Sequence, residues 1–196
     1  GGGLAGARGS VATMGTQTAA LGAGGFSPGY TSQTEGYDGS TWSSETAYPT
    51  PFAGGGGAGT STAGIVVGGS PGTPTATNTY DGSAWTAGTA MGTGRVYAYM
   101  SGGTIPATMA AGGGPVVTAN CEQYNGSAWT EVGNLTTARR AGASSLSGGT
   151  QTAGLAAAGS TGTRTNACEE FSVPSTVSLA QIGQVWYNTT STVLKG

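Results

Sequence analysis

Apolar and aromatic residues recur at regular intervals along this chain, and short glycine-rich segments separate them. A motif of the form Tyr-(Asp/Asn)-Gly-Ser-x-Trp or a close variant occurs three times, and its aromatic residues are Tyr37 with Trp42, Tyr80 with Trp85 and Tyr124 with Trp129. Successive tyrosines are 43 and 44 residues apart, and a fourth copy has Phe171 in the tyrosine place, 47 residues further on, without the tryptophan. A period of this length predicts a repeat architecture in which each unit buries its apolar surface against its neighbours.

Each repeat predicts four short strands. An apolar run that ends in small residues precedes every aromatic position, at residues 21–25, 65–69, 109–114 and 155–159. The first strand is led by an arginine, the second is this apolar run, the third ends at the tyrosine and the fourth begins at the tryptophan. The Asp-Gly or Asn-Gly between the two aromatic residues predicts a type I′ turn, which needs positive φ at both central residues. We therefore expect more than about 40% strand and almost no helix.

Residues at fixed repeat positions are interpreted as structural. The aromatic positions are expected to form the core between neighbouring sheets, with ligand stacking as the alternative. They are Tyr37, Trp42, Tyr80, Trp85, Tyr124, Trp129 and Phe171. Glu35, Glu122 and Glu169 share a register two residues before the aromatic position, which predicts that they accept bonds from an arginine or backbone N–H of the neighbouring repeat, with acid or metal-ligand roles as the alternative. Cys121 and Cys168 also share a register and are predicted to be two buried thiols.

Composition narrows the function classes. The chain has 196 residues, of which 40 are glycine and 7% are charged, and its net charge is -2. It has no basic stripe for a nucleic-acid backbone and no apolar run of the roughly 20 residues that a membrane helix needs, so we expect neither nucleic-acid binding nor membrane insertion. Histidine is absent, which removes the usual general base and the commonest neutral metal ligand. We therefore predict no catalytic residue, no cofactor and no metal site.

The repeat resembles the kelch repeat, in which an arginine-led strand and an apolar strand closed by two glycines precede a tyrosine and a tryptophan. The residues that carry this resemblance best are Gly68, Gly69, Tyr80, Trp85, Met91 and Arg95. It implies an all-β, kelch-like β-propeller made of four-stranded antiparallel blades. The implied repeats span about residues 4–51, 52–93, 94–137 and 138–173.

Kelch propellers usually have more blades than the four repeats of this chain. Three arrangements therefore stay open: further blades lie outside this chain, the ring is small, or other chains complete it, which includes a homo-oligomer. Residues 174–196 break the repeat, and we expect them either to connect the ring to another part of a particle or to close the fourth blade.

A second resemblance, in composition, is to repeat proteins of marine bacteriophages that are rich in glycine, alanine and threonine. Residues 183–190 are similar to segments of phage fibre and virion proteins. These resemblances imply a non-enzymatic virion component, such as a fibre, appendage or decoration. Its propeller loops would bind another virion protein, or a glycan or protein on the host surface.

Two other functions stay open. A cellular kelch-type interaction module would bind protein partners and would have a further domain elsewhere in its parent chain. A glycan-active enzyme built on a propeller would need two carboxylates about 5–10 Å apart in a cleft. The carboxylates that lie outside the repeat register are Glu45, Glu131 and Glu170.

Overall fold

In the computed structural model, the chain folds into short antiparallel sheets that follow one another in chain order. The structure describes residues 1–72, 74–144, 150–172, 186–188 and 193–195. The protein is 46% strand and 2% helical, and the helical part includes a 3-10 turn at Ile105–Ala107. The predicted all-β class, high strand content and near absence of helix are therefore confirmed.

Three sheets have four strands each, in the order expected of successive hairpins. Sheet 1 contains β1 (Ala12–Thr16), β2 (Ala19–Ala23), β3 (Thr34–Tyr37) and β4 (Trp42–Glu45). Sheet 2 contains β5 (Gly56–Gly59), β6 (Gly64–Val67), β7 (Thr77–Tyr80) and β8 (Trp85–Ala87). Sheet 3 contains β9 (Tyr99–Ser101), β10 (Thr108–Ala111), β11 (Cys121–Tyr124) and β12 (Trp129–Val132).

Sheet 4 has three strands within the described residues. They are β13 (Ala143–Ser144), β14 (Ala153–Ser160) and β15 (Arg164–Ser172). Near the C-terminus, β16 (Trp186–Asn188) and β17 (Val193–Lys195) pair with each other as a separate hairpin. The rest of residues 174–196, for which we expected a connecting or closing role, lies outside the described residues.

The turn between the third and fourth strands differs from the predicted type I′ turn. Tyr80 and Trp85 are directly paired as expected, but only Gly82 of the loop between them has positive φ, at 96°. The side chain of Asp81 closes this loop, since its Oδ1 accepts the backbone N–H groups of Ser83 and Ala84 at 2.8 Å each. The type I′ prediction is wrong because a carboxylate supplies the acceptor, so the second left-handed residue is not needed.

The sheets pack on one another in chain order, and their interfaces use the repeated positions. Leu21 of sheet 1 packs with Val66 and Tyr80 of sheet 2, and the next interface joins Ile65 to Tyr124 of sheet 3. The first strands are also neighbours, because β1 lies against β5, β5 against β9 and β9 against β13. A core between sheets, built largely from aromatic and aliphatic side chains, is therefore a feature of this fold.

Not every aromatic position is buried as expected. Tyr80 and Tyr124 are 1% and 3% exposed, whereas Tyr37 and Phe171 are only half-buried. Tyr37 belongs to the first sheet and faces away from the second, while Phe171 lacks the tryptophan with which the other tyrosines pack. The three tryptophans at the repeat positions, Trp42, Trp85 and Trp129, are half-buried as well.

The prediction of two buried thiols holds for Cys121 and is wrong for Cys168, which is exposed. Both residues lie at the register of Thr34 and Thr77, whose side chains contact the tryptophan of the next sheet. Cys121 is covered by sheet 4. Among the described residues, no further sheet packs on the corresponding side of sheet 4, so Cys168 meets solvent.

The repeated glutamates accept ion pairs and hydrogen bonds, and most are deeply buried. Arg8 lies 2.5 Å from Glu35, Arg95 lies 2.7 Å from Glu122, and Arg139 pairs with Glu169. Each arginine belongs to the same repeat as its glutamate, so the expectation of a neighbouring repeat's arginine is wrong. The reason is that the segment leading into the first strand passes over the third strand of its own sheet.

The expected backbone donors from the neighbouring repeat are present. Glu122 accepts the N–H groups of Gly92 and Thr93 at 2.7 and 3.2 Å, and Glu169 accepts that of Thr136 at 2.5 Å. These donors lie in the segment that links each sheet to the next. The carboxylates therefore join consecutive repeats, and they act as structural groups held by an ion pair and by backbone N–H groups.

Sheet 2 replaces the ion pair with neutral side chains. Phe52 stands in the arginine place and Asn78 in the glutamate place. Asn78 Nδ2 donates to the hydroxyl of Tyr48 at 2.6 Å, and the rings of Tyr48 and Phe52 lie 4.3 Å apart. Burial raises the pKa of Tyr48 to about 12.

The glycine pair after each second strand allows the next repeat to come close. The second glycine donates its N–H to the residue that leads the next repeat, over 2.7 Å for Gly25 to Phe52 and 2.9 Å for Gly69 to Arg95. The preceding Gly68 has φ of 65°, and a Cβ there would clash with the carbonyl oxygen of Arg95. Only glycine combines this positive φ with the absence of a Cβ, so only glycine fits here without strain.

Candidate functional site

A cavity of about 400 Å³ lies where the segments leading into the four first strands meet the segments that follow the second strands. Its volume lies within the range typical of ligand sites. All four repeats contribute to the wall. The lining residues are Phe26, Tyr30, Ala53, Ser70, Val96, Tyr97, Pro115 and Arg140. We call this the aromatic cavity.

The repeat geometry explains why these side chains meet. In each repeat, the residue that follows the arginine place pairs with a residue near the end of the apolar run, in an isolated antiparallel bridge. The four bridges are Gly9 with Phe26, Ala53 with Ser70, Val96 with Gly114 and Arg140 with Ser160. Each bridge therefore presents a pair of positions to the same end of the molecule. The repeat sets the positions, while the side chains at those positions differ from one repeat to the next.

A line of backbone hydrogen bonds holds the four bridges together. The next residue in every repeat has a left-handed conformation, with φ of 56° at Ser10, 69° at Gly54, 57° at Tyr97 and 58° at Ala141. Gly54 donates its N–H to Ser10, Tyr97 to Gly54 and Ala141 to Tyr97, at 2.8, 2.7 and 3.0 Å. The cavity wall is therefore anchored to the backbone of all four repeats.

Three aromatic rings of the aromatic cavity are exposed to solvent. Phe26, Tyr30 and Tyr97 are 46%, 42% and 41% exposed, and the first two pack edge to face with ring centroids 5.0 Å apart. Clustered exposed aromatic rings mark binding surfaces more often than lone exposed residues do. Of the five large apolar side chains that are exposed among the described residues, these three line one cavity.

Tyr97 adopts a backbone conformation that bulky residues avoid. Its φ of 57° lies in the left-handed region, which costs a non-glycine residue about 1–3 kcal/mol. The conformation directs the ring toward Gly54, where a side chain would collide with it, and brings the Tyr97 hydroxyl within 3.3 Å of Ser10 Oγ. Ser10, Gly54 and Ala141 share this conformation, so it belongs to the repeat, and in this repeat it places a large ring at the cavity.

The polar groups of the aromatic cavity are hydrogen-bond donors and hydroxyls. Arg140 is half-buried and lies against Gly114. It is unlike Arg95 and Arg139, because the described residues hold no carboxylate paired with it. No carboxylate lines the cavity. The arrangement can bind a ligand that offers an apolar face and several hydroxyl or anionic oxygens, and it holds no pair of acids for hydrolysis.

The residues singled out from the sequence lie elsewhere. None of the repeated tyrosines, tryptophans and glutamates lines the aromatic cavity, since they occupy the sheet interfaces and the ion pairs. Sequence reasoning missed Phe26, Tyr30, Tyr97 and Arg140. The available signal was that these are large side chains outside the repeat register, in a chain whose other loops are mostly Gly, Ser, Thr and Pro.

The three carboxylates considered for an enzyme are spread over the fold. Glu45 lies on sheet 1, Glu131 on sheet 3 and Glu170 on sheet 4, and all three are exposed. Glu45 accepts a hydrogen bond from Tyr80 at 3.4 Å. In the part of the chain that is described, no cluster of three or more Cys, Asp or Glu side chains could hold a metal ion.

None of the helical segments in the described ranges has the length and apolar character needed to cross a bilayer. No family model matches the chain, and no curated protein matches its sequence.

Proposed function

We propose that this chain is a non-catalytic binding component of a virion, built as a kelch-like propeller or as part of one, and that the aromatic cavity binds a glycan of the host surface. The observation that carries the proposal is the cluster of exposed rings formed by Phe26, Tyr30 and Tyr97 around one cavity. The propeller is supported by a second cavity of about 230 Å³, which is lined by residues from or next to the first strands of all four sheets.

A sugar ring fits the chemistry of the aromatic cavity. One face of a pyranose carries mainly C–H groups, which bury well against an aromatic ring, while its rim carries hydroxyls that need partners. Tyr30 and Tyr97 offer rings with hydroxyls, Ser70 offers a hydroxyl, and Arg140 offers a planar set of donors. A guanidinium also suits the carboxylate of an acidic sugar.

The surrounding framework favours binding over catalysis. The buried carboxylates Glu35 and Glu122 are engaged by arginine and backbone N–H groups. Their positions are thus fixed by the fold. A rigid site that needs little ordering when the ligand binds retains more of the interaction energy as affinity.

The virion setting is supported by the low charge, by the richness in glycine and threonine, and by the similarity of residues 183–190 to phage fibre segments. Other virion proteins are the second class of partner in this setting. A cellular interaction module of kelch type would share the same fold but would bind a protein through the same end of the molecule.

Glycan binding is tested with an array of purified bacterial surface polysaccharides, using the whole chain and the variants Phe26→Ala, Tyr97→Ala and Val116→Ala. Val116 is 82% exposed and does not line the aromatic cavity, so its variant is the control. We expect both aromatic variants to lose at least about tenfold in affinity for a retained polysaccharide, which corresponds to about 1.4 kcal/mol, while Val116→Ala binds normally.

Retention of no polysaccharide, or equal binding by all variants, would overturn the glycan proposal. Mass spectrometry of the bound polysaccharide tests the non-catalytic part, because shortened chains after incubation with protein would contradict it. Binding to host cells that is abolished by protease but not by periodate would favour a protein partner instead.

A further inference from the structure

Consecutive sheets contact each other three times in this chain, and one line of backbone hydrogen bonds recurs at all three interfaces. At two of the interfaces a tryptophan also donates its Nε1–H to a threonine hydroxyl of the sheet before it, Trp85 to Thr34 at 3.3 Å and Trp129 to Thr77 at 2.9 Å. The line of N–H to C=O bonds from Ala141 back to Ser10 crosses all three interfaces. In these bonds each sheet donates to the sheet before it, whereas the second glycine of each pair donates in the other direction, as Gly25 does to Phe52 and Gly69 to Arg95.

The first and last sheets carry the two unused halves of this interface. In sheet 1, the indole N–H of Trp42 and the backbone N–H of Ser10 have no acceptor among the described residues. In sheet 4, the carbonyl of Ala141 has no donor in the same part of the chain. Ser10 and Ala141 stand at matching repeat positions, so in this line of bonds a donor is free on sheet 1 and its acceptor is free on sheet 4.

Side-chain exposure also distinguishes the two outer faces of the four-sheet stack from the faces between sheets. The residues that face the following sheet, Thr77 and Cys121, are 2% and 0% exposed, whereas Cys168 at the same register is exposed. On the opposite side, Gly57 and Met100 pack against the preceding sheet, whereas Thr13 at the same register of sheet 1 is exposed. We call the side with Thr13, Tyr37 and Trp42 the entry face, and the side with Ala157 and Cys168 the exit face.

We propose that the exit face of one copy of this chain docks on the entry face of a second copy, head to tail, and repeats the contact between consecutive sheets. This inference is independent of the proposed glycan binding. A second copy is the occupant that the repeat favours, because sheets 1 to 4 already make this contact with each other three times. An interface of this kind is heterologous, so it closes into a ring or continues as an open array.

The consequence is a completed or extended stack that presents several aromatic cavities. Weak binding at each cavity would then combine, since linked sites bind far more tightly than single ones when they can engage together. A heterologous interface also predicts something that a symmetric dimer does not. Blocking either face alone must stop assembly. When a chain with a blocked entry face is mixed with a chain with a blocked exit face, the two remaining free faces must still form one contact.

The test uses Thr13→Arg to block the entry face and Cys168→Arg to block the exit face. Both side chains are exposed, and because Thr13 lines the second cavity, circular dichroism of each variant checks that the chain still folds. Thr86→Arg, on the exposed outer strand of sheet 2, is the matched control. Molar mass is measured by light scattering after size exclusion, over a wide concentration range and with a reducing agent that prevents disulfide bonding through Cys168.

We expect the wild type and Thr86→Arg to show at least twice the mass of one chain, and each blocked variant to be monomeric. An equimolar mixture of the two blocked variants should form a one-to-one dimer and nothing larger. A monomeric wild type would overturn the proposal and would indicate that another segment, such as the C-terminal part of the same chain, covers these faces. A dimer that survives both blocking changes, or a mixture that stays monomeric, would overturn it as well.

Discussion

Arg95 donates to Glu122 across 2.7 Å, and the two side chains are 0% and 6% exposed. The same arginine donates to the carbonyls of Gly112 and Asn120 at 2.6 and 2.7 Å. One buried charge pair thus joins the segment that leads into sheet 3 to the second and third strands of that sheet. Such a pair need not add much net stability, but losing one partner leaves an uncompensated charge in the interior.

Removing one member of this pair is therefore expected to be costly. Glu122→Gln should lower the free energy of unfolding by about 3–5 kcal/mol, because the buried guanidinium of Arg95 loses its counter-charge. The control is Glu131→Gln on the neighbouring strand, which is exposed and should change stability by less than about 0.5 kcal/mol. Urea denaturation of both variants measures the difference.

Sheet 2 supplies a rescue for the same site. The triple change Met91→Tyr, Arg95→Phe and Glu122→Asn copies the neutral cluster of Tyr48, Phe52 and Asn78, and it should be more stable than Glu122→Gln alone, since no buried charge remains. Equal stability of the triple variant and the single variant would contradict this account.

Gly68→Ala is expected to destabilise the contact between sheets 2 and 3. Its cost should be about 1–3 kcal/mol, because the new methyl group meets the carbonyl of Arg95 and the φ of 65° is unfavourable. Ala158 holds the equivalent place in sheet 4 with φ of 58°, so this φ alone does not exclude a side chain. The control is Gly133→Ala, which has no close neighbour and should be neutral or slightly stabilising. If Gly68→Ala and Gly133→Ala lowered the thermal unfolding temperature equally, the close approach of the Arg95 carbonyl to Gly68 would be contradicted.

The buried hydroxyl of Tyr48 is expected to make stability fall at alkaline pH. Its folded-state pKa is raised from 10.0 to about 12 by burial, so the unfolded chain loses this proton first. The protonated Tyr48 hydroxyl contributes about 2–3 kcal/mol to the free energy of unfolding. This contribution is fully present below about pH 10 and is lost as the pH rises toward 12. Chemical denaturation at a series of pH values measures it.

Tyr48→Phe separates this effect from that of other tyrosines. The variant should be less stable at neutral pH by about 1 kcal/mol, because Asn78 loses its acceptor. Between pH 10 and 12, its stability should fall less steeply than that of the wild type. Identical slopes would show that the Tyr48 hydroxyl does not contribute, since burial raises the pKa of Tyr80 and Tyr99 in both proteins.

Several features were determined by the sequence alone. The spacing of Tyr80 and Trp85 predicted paired residues at a hairpin, and the pair is in register. The shared register of Glu35, Glu122 and Glu169 predicted structural carboxylates, and each is held in an ion pair. These predictions succeed because they rest on local backbone chemistry and on repetition, which makes one unit evidence for the next.

Other features were decided only by the tertiary structure. Cys121 and Cys168 have the same register but opposite exposure, because burial depends on whether another sheet packs on that face. Phe26, Tyr97 and Arg140 are far apart in the chain and meet only because each repeat brings its equivalent backbone position to one end of the molecule. A repeat pattern reports what its units share, whereas a binding site consists of the side chains in which they differ, and their distances are set by the packing of all four sheets.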